Sequence, residues 1–131
     1  LMLDYPLAVL TKKRPRFNVA EVTAVVGDVE GKTCILVDDM VDTAGSVSAA
    51  HQALLDQGAN PDIYLVATHA IFSGPAIERL KEAEFKEVIV TDTVPLPKEK
   101  QFKGLTTISV APMLARVIRS VHENRSVTQA L

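Results

Sequence analysis

The sequence predicts an α/β domain built on a largely parallel sheet with helices on both faces. Short apolar runs rich in β-branched residues alternate with stretches whose apolar residues recur at helical spacing. This alternation favours parallel strands joined by right-handed helical crossovers. The runs are continuously apolar, which is typical of strands buried on both faces. No linker divides the 131 residues, so a single domain with a real core is expected.

The first part of the chain leads to a central strand. Leu7 to Leu10 is predicted as a short buried strand after the break at Pro6. The segment from Phe17 to Val26 is predicted as a strand or hairpin arm, and Gly27 to Lys32 as a polar turn. Cys34 to Val37 then forms the central strand, buried on both faces.

The rest of the chain alternates regularly. A helix is predicted after the central strand and runs roughly to Gln57, because apolar residues from Val47 to Leu55 recur at helical spacing and Gly58 supplies a stop. The remaining predicted elements are, in order, a strand at Ile63 to Ala67, a short helix from Pro75 to near Glu84, strands at Val88 to Val90 and Leu105 to Val110, and a last helix from Pro112 to near Asn124.

Composition excludes several classes of partner. Hydrophobic residues make up 47% of the chain and charged residues 23%, and the net charge of −2 gives no general attraction to nucleic acid or acidic membranes. Cys34 is the single cysteine, so no internal disulfide can form and a reducing compartment is favoured. Asp4 and Pro6 interrupt the opening too early for a signal peptide. A cytoplasmic location is expected, with small molecules or protein as partners.

One stretch concentrates the candidate chemistry. Asp38 and Asp39 stand at the carboxyl end of the predicted central strand, where ligands bind in open α/β sheets. Adjacent carboxylates there are costly without a cation or sugar hydroxyls to hold. The residues after Val41 are small and begin the next helix: Asp42, Thr43, Ala44, Gly45 and Ser46. Backbone N–H groups in such a loop can converge on an anion, so a phosphate is expected in the loop and hydroxyls on the acids.

Other residues with charged or reactive side chains also have structural interpretations. The segment TKKRPR places Lys12 and Arg14 in a predicted loop at the same rim, either as a solvated basic loop or as groups that reach anionic oxygens. Residue types alone leave both open. His69 has no second metal ligand at suitable spacing, so a structural histidine is expected and no metal is assigned to it. Cys34 is expected to be unreactive, and Met113 with the last helix is expected to serve core or interface packing.

The acidic stretch CILVDDMVDTAGS resembles the phosphoribosyl-diphosphate (PRPP) binding motif of phosphoribosyltransferases and PRPP synthetases. Its flanks narrow the family: KKRPR, NVAEV, GDVEGKTCILVDDM, ATHAIFSGPAIERL, VIVTDT and HENRSV together resemble ribose-phosphate diphosphokinase (PRPP synthetase) over essentially the whole chain. In the basic segment the family usually has Asp-Lys-Arg-Arg-Pro, where this chain has Thr11, Lys12, Lys13, Arg14 and Pro15. Lys12 and Arg14 still match the family's catalytic lysine and arginine.

The resemblance implies a phosphoribosyltransferase-like fold and transfer of a diphosphoryl group from MgATP to the 1-hydroxyl of ribose 5-phosphate, leaving AMP. Under it, residues 42–46 hold the 5-phosphate, and Asp38 and Asp39 hold the ribose hydroxyls and Mg²⁺. Lys12 and Arg14 are then catalytic and neutralise charge in the transition state. The substrates are ribose 5-phosphate and ATP.

The resemblance also implies how the chain relates to a whole enzyme. Residues 1–131 match a carboxy-terminal domain cut at its start, and the amino-terminal domain that supplies the ATP-binding residues is absent. The chain alone is therefore expected not to make PRPP. Family members assemble as hexamers, so a homo-oligomer is expected. Two alternatives remain open: a noncatalytic regulatory subunit of the same family, and a phosphoribosyltransferase.

Overall fold

The computed structural model describes residues 5–13 and 22–129. Its strands and α-helices in those ranges are, in chain order, β1 Val9–Lys13, β2 Val22–Val26, β3 Ile35–Val41, α1 Gly45–Asp56, β4 Tyr64–Ala70, α2 Ala76–Glu82, β5 Glu87–Thr91, β6 Leu105–Ile108 and α3 Ala111–His122. Short 3₁₀ turns lie at Lys98–Lys100 and Val127–Gln129.

A four-stranded parallel sheet in the order β3-β4-β5-β6 forms the centre of the domain. Each strand is added on the same side of the previous one, so right-handed crossovers place α1 and α2 on one face. The buried core agrees with this geometry. It joins Leu36, Leu65 and Val88 of the sheet to Val47 of α1 and Leu80 of α2. The predicted α/β class with a parallel sheet is confirmed.

The central strand β3 is not buried on both faces, as the sequence predicted. Leu36 is 8% exposed, whereas Ile35 and Val37 are 64% and 73% exposed. The reason is its place in the sheet: β3 is the edge strand, and α1 and α2 cover the face to which Leu36 points. The continuous apolar run predicted burial correctly for one face only.

The beginning of the chain also differs from the prediction. The expected strand at Leu7 to Leu10 starts only at Val9, and Leu7 is 79% exposed rather than buried. Residues 11–13, expected in a loop, belong to β1, which pairs antiparallel with β2 from Val9↔Val26 to Lys13↔Val22. Pairing with β2 keeps the backbone extended through polar residues, which an apolar pattern cannot show.

The helix ends agree well with their sequence signals. Gly58 and Asn124 follow α1 and α3 in the left-handed conformation, at φ 79° and 54°, as expected of C-terminal stops.

The last helix, α3, was predicted to pack either in the core or at an interface. No residue of α3 is buried, and Ile118 is 68% exposed, so core packing is wrong for this chain. Interface packing stays a prediction.

A buried histidine lies where α1 meets the connection after α2. His51 is 5% exposed, and its ring packs edge-on against Phe85 at a centroid distance of 4.6 Å. Its Nε2 atom and the Oγ atom of Ser48 have no hydrogen-bond partner among the described residues. Burial lowers the pKa of His51, and the negative charge of Glu84 opposes part of that shift.

We expect this histidine to make the domain less stable in mild acid. The unfolded chain binds a proton at His51 near pH ~6.5, whereas the folded chain resists that proton because its pKa is lower. Stability is therefore full above that pH and falls as the pH drops below it. Urea unfolding above and below that pH should show a lower free energy of unfolding at the lower pH. The substitution His51→Gln should make this difference smaller. The control His122→Gln, at an exposed position of α3, should keep the full pH dependence.

Candidate functional site

The predicted site residues surround one cavity. A cavity of about 760 Å³ runs along β3 and the loop after it, with Leu7 to Leu10 on its other side. All seven predicted substrate-binding residues line it: Asp38, Asp39, Asp42, Thr43, Ala44, Gly45 and Ser46. Their convergence comes from chain order, because β3 leads through the loop directly into α1.

The two adjacent acids lie inside β3 rather than after its end. The strand was predicted to stop at Val37, but its pairing with β4 continues to Val41↔Ala70. Successive residues of a strand point to opposite faces, so Asp38 and Asp39 approach the cavity from the two sides of this edge strand. An Oδ1 atom of Asp38 accepts the N–H of Asp39 at 2.9 Å. The two carboxylates therefore suit two separate contacts better than one shared ligand.

The loop into α1 has the backbone geometry of an anion site. Ala44, just before the helix, has φ 60° and ψ 5° in the left-handed region, and it is 4% exposed. A left-handed residue followed by helical ones directs successive N–H groups toward one point. Ala44 has no side chain that could cap these N–H groups. The loop can offer those donors to a bound anion.

The carbonyl groups of the loop are held from behind by the chain after β4. Val41 O accepts from the N–H groups of Ile71 and Phe72, each at 3.1 Å, and Asp42 O accepts from that of Ser73 at 2.9 Å. The described peptide bonds are all trans, and in a trans peptide each carbonyl points opposite to the next N–H. Anchoring these carbonyls therefore turns the following N–H groups, at residues 42 and 43, away from the segment of residues 71–73.

A residue that sequence reasoning did not identify completes this support. Arg79 of α2 donates from Nη1 to the carbonyl oxygen of Thr43 at 3.0 Å, across 36 residues of sequence. The same peptide geometry turns the N–H of Ala44 away from α2. Arg79 belongs to the flank ATHAIFSGPAIERL, but the residue types there assign it no role. Only the fold brings it to the loop.

His69 and its neighbours form a structural network beside the site. His69 Nδ1 lies 2.8 Å from Thr93 Oγ1, so the ring has the partner that the structural interpretation expects. The hydroxyl groups of Thr91 and Thr93 both donate to the carbonyl of Thr68, at 2.7 and 3.0 Å. These bonds tie the end of β5 to β4.

Asp92 and Cys34 also have structural explanations. An Oδ1 atom of Asp92 accepts the N–H of Val110 at 2.9 Å, just before α3 begins. A bond from the Ser109 side chain lowers the pKa of Asp92 most, which keeps this exposed carboxylate ionised. Partial burial raises the pKa of the Cys34 thiol, against a smaller effect of Lys32, so the thiol is poorly reactive at neutral pH.

The basic segment is only partly described. Lys12 lies in β1, where its backbone pairs with Thr23, and Arg14 lies outside the described residues. Their catalytic assignment therefore stays a prediction. Within residues 5–13 and 22–129, no group of three or more His, Cys, Asp or Glu residues is arranged to hold a metal ion. In the same ranges, no helix has the length and apolarity to cross a membrane.

Comparison with known proteins gives consistent results. The family model described as "Phosphoribosyl synthetase-associated domain" matches residues 5–131. The ribose-phosphate pyrophosphokinase of Caldanaerobacter subterraneus is 54% identical over 97% of this chain and 40% of that protein. The one from Bacillus subtilis is 47% identical over 96% of this chain and 39% of its own length. This chain thus spans about two fifths of these curated relatives.

A solved structure has the same fold. The crystal structure of phosphoribosylpyrophosphate synthetase from Mycobacterium smegmatis aligns with a TM-score of 0.79 and 47% identity. The alignment covers 89% of this chain and 37% of that one.

Proposed function

Because this chain belongs to the family of phosphoribosyl synthetase-associated domains, we propose that it is the ribose 5-phosphate-binding, carboxy-terminal portion of a ribose-phosphate pyrophosphokinase. Such an enzyme transfers a diphosphoryl group from ATP to the 1-hydroxyl of ribose 5-phosphate and releases AMP. One observation carries the proposal: the two acids of β3 and the small-residue loop before α1 line the same cavity.

The loop is assigned to the 5-phosphate. Residues 42–46 present backbone N–H groups at the start of a 12-residue helix, whose dipole favours negative charge. Their small side chains let a phosphate approach the backbone. A left-handed conformation at Ala44 costs on the order of 1–2 kcal/mol. A function for it is to orient the backbone N–H groups toward the phosphate.

The acids are assigned to the sugar and the cation. A carboxylate accepts hydrogen bonds from ribose hydroxyls, and Mg²⁺ is commonly held by one or two carboxylates together with water and substrate oxygens. Asp38 and Asp39 fit that pattern, since Mg²⁺ does not require three protein ligands. When bound, the cation would offset phosphate charge; the acids would fix the sugar ring and its 1-hydroxyl.

Lys12 and Arg14 are assigned to the transferring phosphates. Leu10, the last residue of the opening segment that lines the cavity, is followed two positions later by Lys12, roughly 7 Å further along an extended strand. The strand can therefore bring the backbone of Lys12 to the cavity entrance, and Arg14 follows two residues later in the sequence. There they would neutralise charge that develops during transfer. Assembly with further copies, in the cytoplasm, is part of the same proposal.

Calorimetry with ribose 5-phosphate in the presence of Mg²⁺ tests the proposal directly. The chain should bind the sugar phosphate. Asp38→Asn and Asp39→Asn should each weaken binding roughly ten- to a hundredfold, because hydrogen bonds to a charged group are worth roughly 1.5–3 kcal/mol. The matched control is Asp56→Asn, at the far end of α1, where the carboxylate bonds to Gln52 instead.

That control should bind ribose 5-phosphate as the unsubstituted chain does. No measurable binding by the unsubstituted chain would refute the proposed site. Equal affinities for Asp39→Asn and Asp56→Asn would remove Asp39 from it.

A further inference from the structure

We propose that Arg79 is a positioning residue for the phosphate loop, acting through the carbonyl of Thr43 rather than by touching the ligand. The inference rests on the proposed function, since it concerns how the same loop is held ready for the 5-phosphate. It assigns a role to a side chain of α2 that lies 36 residues away in sequence.

The bond from Arg79 differs in kind from the other anchors of the loop. The carbonyls of Val41 and Asp42 are held by backbone N–H groups of the chain after β4, which no substitution short of proline removes. The carbonyl of Thr43 is held by a side chain, through Nη1 at 3.0 Å. This last anchor precedes Ala44, the residue whose left-handed conformation directs the donors.

Removal of the guanidinium should therefore loosen one specific peptide. Without Arg79 the plane between Thr43 and Ala44 can rotate, and the N–H of Ala44 no longer stays turned away from α2. A left-handed alanine is unfavourable and persists only where its surroundings fix it. The consequence is a loop that must be ordered by the ligand, which weakens binding.

Gly45 gives a second observation that places the guanidinium beside the loop. Gly45 is helical, so its backbone conformation does not require glycine. A Cβ atom at residue 45 would lie 3.3 Å from Nη1 of Arg79 and 3.9 Å from Oγ1 of Thr43. An added side chain at residue 45 would therefore meet Arg79 first.

These two observations predict a coupling between residues 45 and 79. In the unsubstituted background, Arg79→Met should weaken ribose 5-phosphate binding about tenfold by deleting the guanidinium, and Gly45→Ala should weaken it less, by shifting that group a few tenths of an ångström. In Arg79→Met, the added Gly45→Ala should have little further effect, because the group it displaces is gone. Arg79→Lys, which keeps a donor and the charge, should recover part of the affinity.

The control is Lys81→Met, which removes a cation from the opposite side of α2, two residues along the helix. It should bind normally, and so exclude a general effect of charge. Amide ¹H–¹⁵N spectra give a readout that stability changes alone would not: adding inorganic phosphate should shift residues 44–46 in the unsubstituted chain and less in Arg79→Met.

The outcomes separate the two proposals. If the unsubstituted chain binds ribose 5-phosphate and Arg79→Met binds it equally well, the positioning role is refuted and the proposed function stands. Independent, additive losses for Gly45→Ala and Arg79→Met would also refute it. Failure of the unsubstituted chain to bind would refute the proposed function, and this inference with it.

Discussion

When this chain alone is incubated with MgATP and ribose 5-phosphate, AMP is expected to form no faster than in the same buffer without protein. The residues assigned here account for the acceptor sugar, and the chain spans about two fifths of the relatives that carry the name pyrophosphokinase. Phosphoryl transfer depends mainly on holding two substrates in line and on stabilising charge. A domain that orders one substrate should lose several orders of magnitude in rate. Following AMP formation by chromatography measures it.

Two controls make that result informative. The full-length relative from Bacillus subtilis, assayed in parallel, shows that the assay detects turnover. Calorimetric binding of ribose 5-phosphate by the same preparation shows that the chain is folded. Turnover near that of the full-length relative would mean that the ATP site also lies within these 131 residues. The proposal that this chain binds only the acceptor sugar would then be wrong.

The order of elements was predictable because each one carries a local signal. Gly58 and Asn124 ended their helices where expected, and Leu36 of the central apolar run lies in the core. Strand ends were not predictable in the same way. Both β3 and β4 extend beyond their apolar runs, to Val41 and Ala70, because ladder hydrogen bonds between them stabilise polar residues in an extended conformation.

The place of the candidate loop in the fold was predictable, because its residues are consecutive in sequence. The loop from Asp42 to Ser46 concentrates small residues between a strand and a helix, so its position follows from the chain. What supports the loop could not be predicted. Val41 and Asp42 are anchored by residues about 30 positions later, and Thr43 by Arg79, through contacts that exist only once β4 lies beside β3. The roles of Lys12 and Arg14 stay predictions.

Leu65→Ala is expected to cost about 2–5 kcal/mol of unfolding free energy, the usual range for deleting a fully buried leucine. Leu65 has no exposed surface, and its neighbours in the sheet are Leu36 and Val88, both buried. Since domains are commonly stable by only about 5–15 kcal/mol, one such cavity removes a large part of the total. Urea unfolding followed by circular dichroism measures the change.

Leu114→Ala is the matched control, because it makes the same substitution on α3 at a side chain that is 49% exposed. It should cost less than about 1 kcal/mol, since little apolar surface returns to water. Equal losses for the two variants would show that the core is not centred on β4. Leu65 also neighbours Leu36, two residues before Asp38 on β3. Ribose 5-phosphate, if it binds only the folded chain, should therefore restore part of the stability that Leu65→Ala removes.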